Sequence, residues 1–383
     1  MDVAFLGTGS GYPTPCRGAS ALAIRYEGDV WLIDCGEGTQ TQIMKLKTIR
    51  PGQISKIFIT HLHGDHMFGL PGLLCTISMA LKPTEDGNLD TIFSEKTVSN
   101  LKLVEIYGPL GLRRFLREAL NLSRSVLTFK YVVHEIVPNR IQYDGWKPGD
   151  PDWNMWDPEH TAKGCLHFCE EGFGHAIFYD EVMKCWPLCS NKNMTVVAGG
   201  LKHRIPSFGF VFTECDKPGK LNNAKLIEYG VPKGPLFGRI KNGEEITLED
   251  GRILKPEDFV GPVQSGKKVA VLQDTCDSWH MREICNNCTL LIHEATNENC
   301  QQDRCIANGH STPAMVAQFA NAIGAQKIVL THVSQRYKHP LTHDVEPDDQ
   351  TTEILETETR TDFSGPVIAA YDGLVVNVNK KVF

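Results

Sequence analysis

Lys56-Ile57-Phe58-Ile59-Thr60-His61-Leu62-His63-Gly64-Asp65-His66 carries a strand-like apolar run straight into four ligand-type side chains within six residues. Three imidazoles and a carboxylate at that density are costly to place together unless they bind something, and two imidazoles two residues apart can grip one cation. Because a strand precedes the cluster, it falls on a strand-to-helix loop, with Gly64 permitting the turn. His61 and His63 then face one metal, while Asp65 and His66 turn toward a second. Lys327-Ile328-Val329-Leu330-Thr331-His332 echoes the first stretch, again a buried-looking strand ending in histidine. Ligand sites in layered α/β folds lie beyond strand ends, so the echo suggests two related halves facing one site.

Working outward, β-branched apolar runs recur at 3–6, 30–33, 104–107, 268–272 and 289–292, alternating with helical patterns at 39–47, 111–122 and 313–323. The last has Thr312 as N-cap, Pro313 at the first helical position and Gly324 beyond its end. Asp372-Gly373 between apolar runs predicts a terminal hairpin. Residues 139–200, with Trp146, Trp153 and Trp156 among Pro, Gly and Asp, break the pattern and are read as an insertion. Residues 210–262, rich in Gly, Pro and Lys, are read as an arm on a core formed by 1–209 and 263–383.

Two metals need more ligands than one loop supplies. Asp274 and His332 each follow a buried-strand pattern, where a polar side chain has little other purpose. For a third imidazole at the first metal, His134, His160, His167, His175 and His203 compete; His134 leads because it follows Tyr131-Val132-Val133.

At 383 residues and 41% hydrophobic content the chain can fill a sizeable core. No apolar run has membrane-spanning length and no signal-peptide pattern opens the chain. Thirteen cysteines suit reduced thiols, hence cytoplasm or nucleus. The net charge of −7 excludes a generally basic nucleic-acid-coating surface. One local exception is 217–241, where Lys217, Lys220, Lys225, Lys233, Arg239 and Lys241 face the single acid Glu228, a net of +5. On charge alone that is a solvated loop.

Further stretches decide more. Phe5-Leu6-Gly7-Thr8-Gly9-Ser10 with Arg17-Gly18, Asp34-Cys35-Gly36-Glu37-Gly38-Thr39-Gln40, Leu70-Pro71-Gly72-Leu73, His203-Arg204-Ile205-Pro206-Ser207-Phe208-Gly209, His293-Glu294-Ala295-Thr296, His310-Ser311-Thr312 and Thr331-His332-Val333-Ser334-Gln335-Arg336-Tyr337 join the histidine cluster in one order covering most of the chain. Together they closely resemble ribonuclease Z, in its short form, of the metallo-β-lactamase superfamily. The resemblance implies an αββα sandwich with a projecting tRNA-binding arm, two zinc ions, and endonucleolytic removal of the 3′ trailer from precursor tRNA. By position it implies His61, His63 and His134 on the first zinc, Asp65, His66 and His332 on the second, and Asp274 bridging them. It also turns the basic stretch into a grip for the tRNA body, with Lys233-Gly234-Pro235 at its tip and His203 beside the substrate, and it implies a homodimer. A metal pair clamps a phosphate and lowers the pKa of a shared water. Asp65 suits orienting or deprotonating the nucleophile, and His310 held by Glu294 suits protonating the departing oxygen.

Gly7-Thr8-Gly9-Ser10-Gly11 lacks the spacing of a dinucleotide fingerprint and is assigned a turn near the metals. Cys165, Cys169, Cys185 and Cys189 approach a structural-zinc spacing. Competing readings are a nuclease repairing tRNA 3′ ends, a glyoxalase II-like thioester hydrolase, and a non-catalytic RNA-binding subunit; the ligand and proton-transfer residues argue against the last.

Overall fold

The computed structural model describes residues 1–81, 101–139, 142, 166–248, 250–341 and 345–381. Among them two large sheets carry the runs read as strands. The first has the order β17-β1-β2-β3-β4-β5-β6-β7, from β1 (Asp2–Gly7), β2 (Ala21–Tyr26), β3 (Asp29–Ile33), β4 (Ile54–Phe58), β5 (Leu103–Pro109), β6 (Lys130–Ile136), β7 (Ala176–Ile177) and β17 (Val375–Asn377). The second has the order β16-β15-β14-β13-β10-β9-β8, from β8 (Trp186–Ser190), β9 (Met194–Leu201), β10 (Ser207–Glu214), β13 (Lys268–Leu272), β14 (Leu290–Glu294), β15 (Ile328–Thr331) and β16 (Val367–Ala369).

The strands are apolar throughout because both faces of each sheet are covered. On one face Leu6, Leu32, Ile57, Ile106 and Val133 pack with Leu70, Leu73 and Leu74 of the helix Leu70–Ala80 and Leu116 of the helix Leu112–Leu122. On the other face Phe58 meets Phe210 and Phe212 of the second sheet, with ring centroids 5.5 and 5.3 Å apart. Leu272, Leu291 and Leu330 cover the helices Pro313–Ala322 and Glu353–Asp362 through Val316, Phe319 and Leu355. The layers are therefore helix, sheet, sheet, helix. Parallel pairing from β3 to β7, and from β13 to β16, aligns several strand C-termini at one end of the sandwich.

Several expectations are corrected. Asp372-Gly373 does not close a hairpin: β16 pairs with β15, whereas β17 pairs with β1 in the other sheet. The turn hands the chain from one sheet to the other, and the Asp372 carboxylate accepts from the Thr8 and Gly18 amides. Thr312 precedes its helix in extended conformation, but its side chain makes no capping bond. Of the supposed insertion, 140–141 and 143–165 lie outside the described residues, Trp146, Trp153, Trp156, His160 and Cys165 among them. From 176 onward it is sheet, supplying β7, β8 and β9.

The chain divides into two compact units. One comprises 1–189, 196–212 and 268–383 and contains every histidine and carboxylate of the candidate metal centre. The other comprises 190–195 and 213–267, in place of the expected 210–262, because β10 runs on through Glu214 before the chain leaves the sheet. It has its own small core of Leu226, Val231, Ile240, Ile246, Leu254 and Phe259 under the helices Asn223–Glu228 and Pro235–Lys241 and the two-stranded β11 (Ile246–Thr247) and β12 (Ile253–Leu254). Among the described residues no helix is long and apolar enough to cross a membrane.

Candidate metal centre

His61 and His63 follow β4, Asp274 follows β13 and His332 follows β15, so the parallel strand ends deliver the donors. Two groups form. His61, His63, His203 and Asp274 have donor atoms within 4.8 Å of one another, as do Asp65, His66 and His332. His61 Nε2 is 3.0 Å from His63 Nδ1, which is 3.1 Å from His203 Nε2. In the second group His66 Nε2 lies 3.2 Å from His332 Nε2, and Asp65 Oδ2 is 3.4 Å from the latter. Asp274 stands between the groups. Its Oδ2 is 3.7 Å from both His61 Nε2 and His203 Nε2, while its Oδ1 is 3.2 Å from His66 Nε2 and 3.1 Å from His332 Nε2.

The far side of each ring explains these orientations. His66 Nδ1 is 2.7 Å from Asp34 Oδ2, His203 Nδ1 is 2.8 Å from Gly309 O, and His61 Nδ1 is 3.1 Å from Thr60 Oγ1. A ring that donates from Nδ1 presents an unprotonated Nε2 inward, which is the tautomer a metal ligand needs. Asp34 (φ 59°) and His332 (φ 52°) both occupy the left-handed region, sparsely populated by such residues, as each is held by its neighbours. Gly11 N donates to Asp65 Oδ2 at 2.8 Å, which places the glycine-rich turn after β1 beside the site as expected.

The electrostatics fit a cation. Burial, reinforced by neighbouring imidazoles, pushes His61 well below its ordinary value, takes His63 to about 4 and lowers His203. Asp274 and Asp65 are lowered too, but against burial: burial opposes their ionisation, and facing histidines hold both far below the usual carboxylate range. Burial also opposes charge on His66, yet Asp274, Asp34 and Asp65 raise it well above normal. Neutral His61, His63 and His203 beside ionised Asp65 and Asp274 are donor states that suit a divalent metal, whereas His66 gives up its inward proton when a metal binds. Asp274 Oδ1 is moreover buried without a well-directed hydrogen bond, its near neighbours being the inward Nε2 atoms of His66 and His332, an arrangement that suits a cation taking the lone pairs.

His134 is not part of the centre. Strand β6 continues to Ile136, so His134 points from within the sheet rather than from its end. It stacks on Tyr107 at 4.8 Å and lies 3.1 Å from His175. The third imidazole of the first group is instead His203, two residues past the end of β9. Its strand signal was present in Val196-Val197-Ala198 but interrupted by Gly199-Gly200. The four-cysteine reading falls partly outside the described residues. Cys165 is outside the described residues, Cys169 pairs with the Leu127 backbone, and no cysteine joins a ligand group among the described residues.

His310 and Glu294 meet as expected, Nδ1 to Oε1 at 3.0 Å, with His310 Nδ1 3.9 Å from Asp274 Oδ2. Burial pulls the His310 pKa down, but Glu294 and then Asp274 outweigh it and leave it at about 9. The centre opens into a cleft of about 450 Å³ lined by His63, Asp65, Asp274, His310 and His332.

Comparison with known proteins is decisive. The bovine zinc phosphodiesterase ELAC protein 1 is 46% identical over 341 residues, covering 88% of this chain and 87% of its own, and a ribonuclease Z of Bacillus velezensis is 34% identical over 99% and 100%. The chain belongs to the ribonuclease Z family. Among solved structures, human tRNase Z short form matches with a TM-score of 0.63 and 34% identity over 99% of this chain and 100% of its own. The family model described as anti-Pycsar protein Apyc1 matches residues 1–103, which hold β1 to β4 and the histidine cluster. Membership in the ribonuclease Z family makes the chain a metal-dependent phosphodiester hydrolase, in agreement with the paired donor groups.

The expected arm residues all fall in the second unit. Lys217, Lys220, Lys233, Arg239 and Lys241 are exposed, but Lys225 is partly spent on the Asp258 carbonyl and the Phe259 ring. Arg239 pairs with Glu244, and Gly234 and Pro235 start the helix Pro235–Lys241.

Proposed function

We infer that this chain cuts precursor tRNA endonucleolytically, removing the 3′ trailer and leaving a 3′-hydroxyl on the tRNA. The observation that carries the reading is Asp274, with one oxygen turned to each donor group and His310 at its edge. Two zinc ions per chain would suit that arrangement: His61, His63 and His203 would hold the first and Asp65, His66 and His332 the second, with Asp274 beside both groups. Zinc there supplies Lewis-acid charge to the phosphate and an acidified water.

The chain's own groups divide the remaining work. Asp65, fixed by the Gly11 amide and held ionised, orients the attacking water; a carboxylate of such low pKa is a poor store for its proton. Attack at phosphorus breaks the bond to the 3′ oxygen, and His310, kept protonated by Glu294, donates its proton to that oxygen while the phosphate stays with the trailer. The lysines of the second unit hold tRNA phosphates with little sequence reading. A homodimer completes the reading, supported by the family resemblance and tested by light scattering, and the unpaired thiols suit cytoplasm or nucleus.

The test sets three substrates before the purified zinc-loaded protein: a 3′-extended precursor tRNA, a small phosphodiester and a thioester. Preferential cutting of the precursor supports the reading. Hydrolysis of the thioester with the precursor left intact overturns it in favour of a glyoxalase II-like activity.

A further inference from the structure

Two aromatic side chains in the cleft leave most of their surface uncovered. Tyr12, on the turn after β1, is 63% exposed, and Phe68, directly after the histidine cluster, is 61% exposed. Both line the cavity that holds His63, Asp65, Asp274 and His310. Large apolar side chains exposed in a catalytic cleft lose burial energy unless a ligand covers them.

Neither is loosely placed. A Cβ at Gly64 would run into the Phe68 ring, so that ring lies directly on the glycine of the metal loop, and Phe115 stacks beside it at 6.3 Å and 27°. The Tyr12 backbone is tied down at both polar groups: its amide donates to Ser10 O at 3.0 Å, and its carbonyl accepts from Gln335 Nε2 at 2.7 Å. Arg204 is the one Lys or Arg among the described residues lining this cleft. Rigid aromatic faces with a guanidinium, around a centre that attacks phosphorus, are the composition of a single-strand nucleic-acid groove, where bases stack on rings and phosphates meet the cation.

We propose that Tyr12 and Phe68 are stacking platforms for the unpaired bases on either side of the scissile phosphate, and that they set its position over the metal centre. The proposal rests on the tRNA reading above and adds a requirement to it: the substrate must enter as unstacked single strand, and the enzyme must feel the presence of a base at the cut whatever its identity.

The experiment crosses protein variants with substrate deletions. Wild type, Y12L, Y12F and F68L, each checked for native circular dichroism and wild-type zinc content, cut a precursor tRNA carrying either normal nucleotides or an abasic residue on one side of the cut. Y12L and F68L should each lose roughly tenfold in kcat/KM on the normal precursor, and Y12F, which keeps the ring, should retain wild-type activity. On a precursor abasic on the matching side, wild type should show the same loss and the variant nothing further, since the platform and its base are one interaction. Losses that multiply on the abasic precursors, or variants as active as wild type, overturn the stacking role while leaving the tRNA reading intact. Failure of wild type to cut any precursor overturns both.

Discussion

His310 Nδ1 stands 3.0 Å from Glu294 Oε1, and Glu294 is itself immobilised: Oε1 accepts from the Thr275 amide at 2.9 Å and Oε2 from Thr296 Oγ1 at 2.6 Å. A ring anchored through Nδ1 keeps a fixed orientation, which leaves the Nε2 proton as the one it can give up. H310A should therefore lose about 10²- to 10⁴-fold in turnover, the usual scale for a missing general acid, with zinc content unchanged. Wild-type turnover in a zinc-loaded H310A protein would end the proton-donor role.

The same pair predicts a pH effect. Glu294 raises the His310 pKa, so the acid form persists toward alkaline pH; bound cations repel that proton and bring the alkaline decline below pH 9. E294Q removes the raising charge, so the decline in turnover should move to lower pH. A pH–rate profile of E294Q superimposable on wild type contradicts the account.

How far was this legible beforehand? The strand runs and most of the centre were readable because a strand buried on both faces has a distinctive apolar signature, and a polar residue just past its end stands out, whereas the two layers of helix came only from the family resemblance. The errors have the same physical origin. His134 also follows an apolar run, but β6 does not stop there, and strand ends are set by the pairing partner and not by the run itself. His203 was hidden because two glycines weakened β9. Asp372-Gly373 has ideal hairpin chemistry, but strand pairing across two sheets overrode it, as local turn preference cannot report which sheet a strand joins.

The exchange of these two histidines is testable. H203A should bind less zinc than wild type and lose activity, whereas H134N should match wild type in zinc content. Metal analysis of the two proteins decides between them, and the reverse pattern would restore the original assignment.

His134 should instead matter for acid stability. Burial, then His175, lowers its pKa from 6.5 to about 4. Between those values the unfolded chain binds a proton that the folded chain refuses, so stability falls as pH drops from 6.5 toward 4. H134N lacks this term, and its urea midpoint should decline less over that window than wild type's. Parallel declines would remove His134 as a contributor.

Asp34 should show how much the ring orientation is worth. It accepts from Thr60 N at 2.8 Å and faces His66 Nδ1 at 2.7 Å. D34N keeps the shape but not the charge, and should weaken zinc affinity or activity by about 10- to 100-fold. Unchanged zinc titration and kinetics would show that His66 is oriented by packing alone.

The basic unit calls for charge changes and not deletion, because removing 217–241 would take Leu226, Val231 and Ile240 out of its core. A K217A/K220A/K233A/K241A protein should bind precursor tRNA more weakly, with the salt-dependence slope reduced by about one per lysine that meets a phosphate, while its hydrolysis of a small phosphodiester is unchanged. Equal loss on both substrates would deny the unit a role in holding tRNA.

The most direct test of the whole account is to map the ends produced when zinc-loaded protein meets a 5′-labelled, 3′-extended precursor tRNA, with D274A run beside it. The account predicts a cut near the discriminator nucleotide, a 3′-hydroxyl on the tRNA, a 5′-phosphate on the trailer, and neither product from D274A. An intact precursor, a phosphate left on the tRNA, or undiminished cutting by D274A would contradict it.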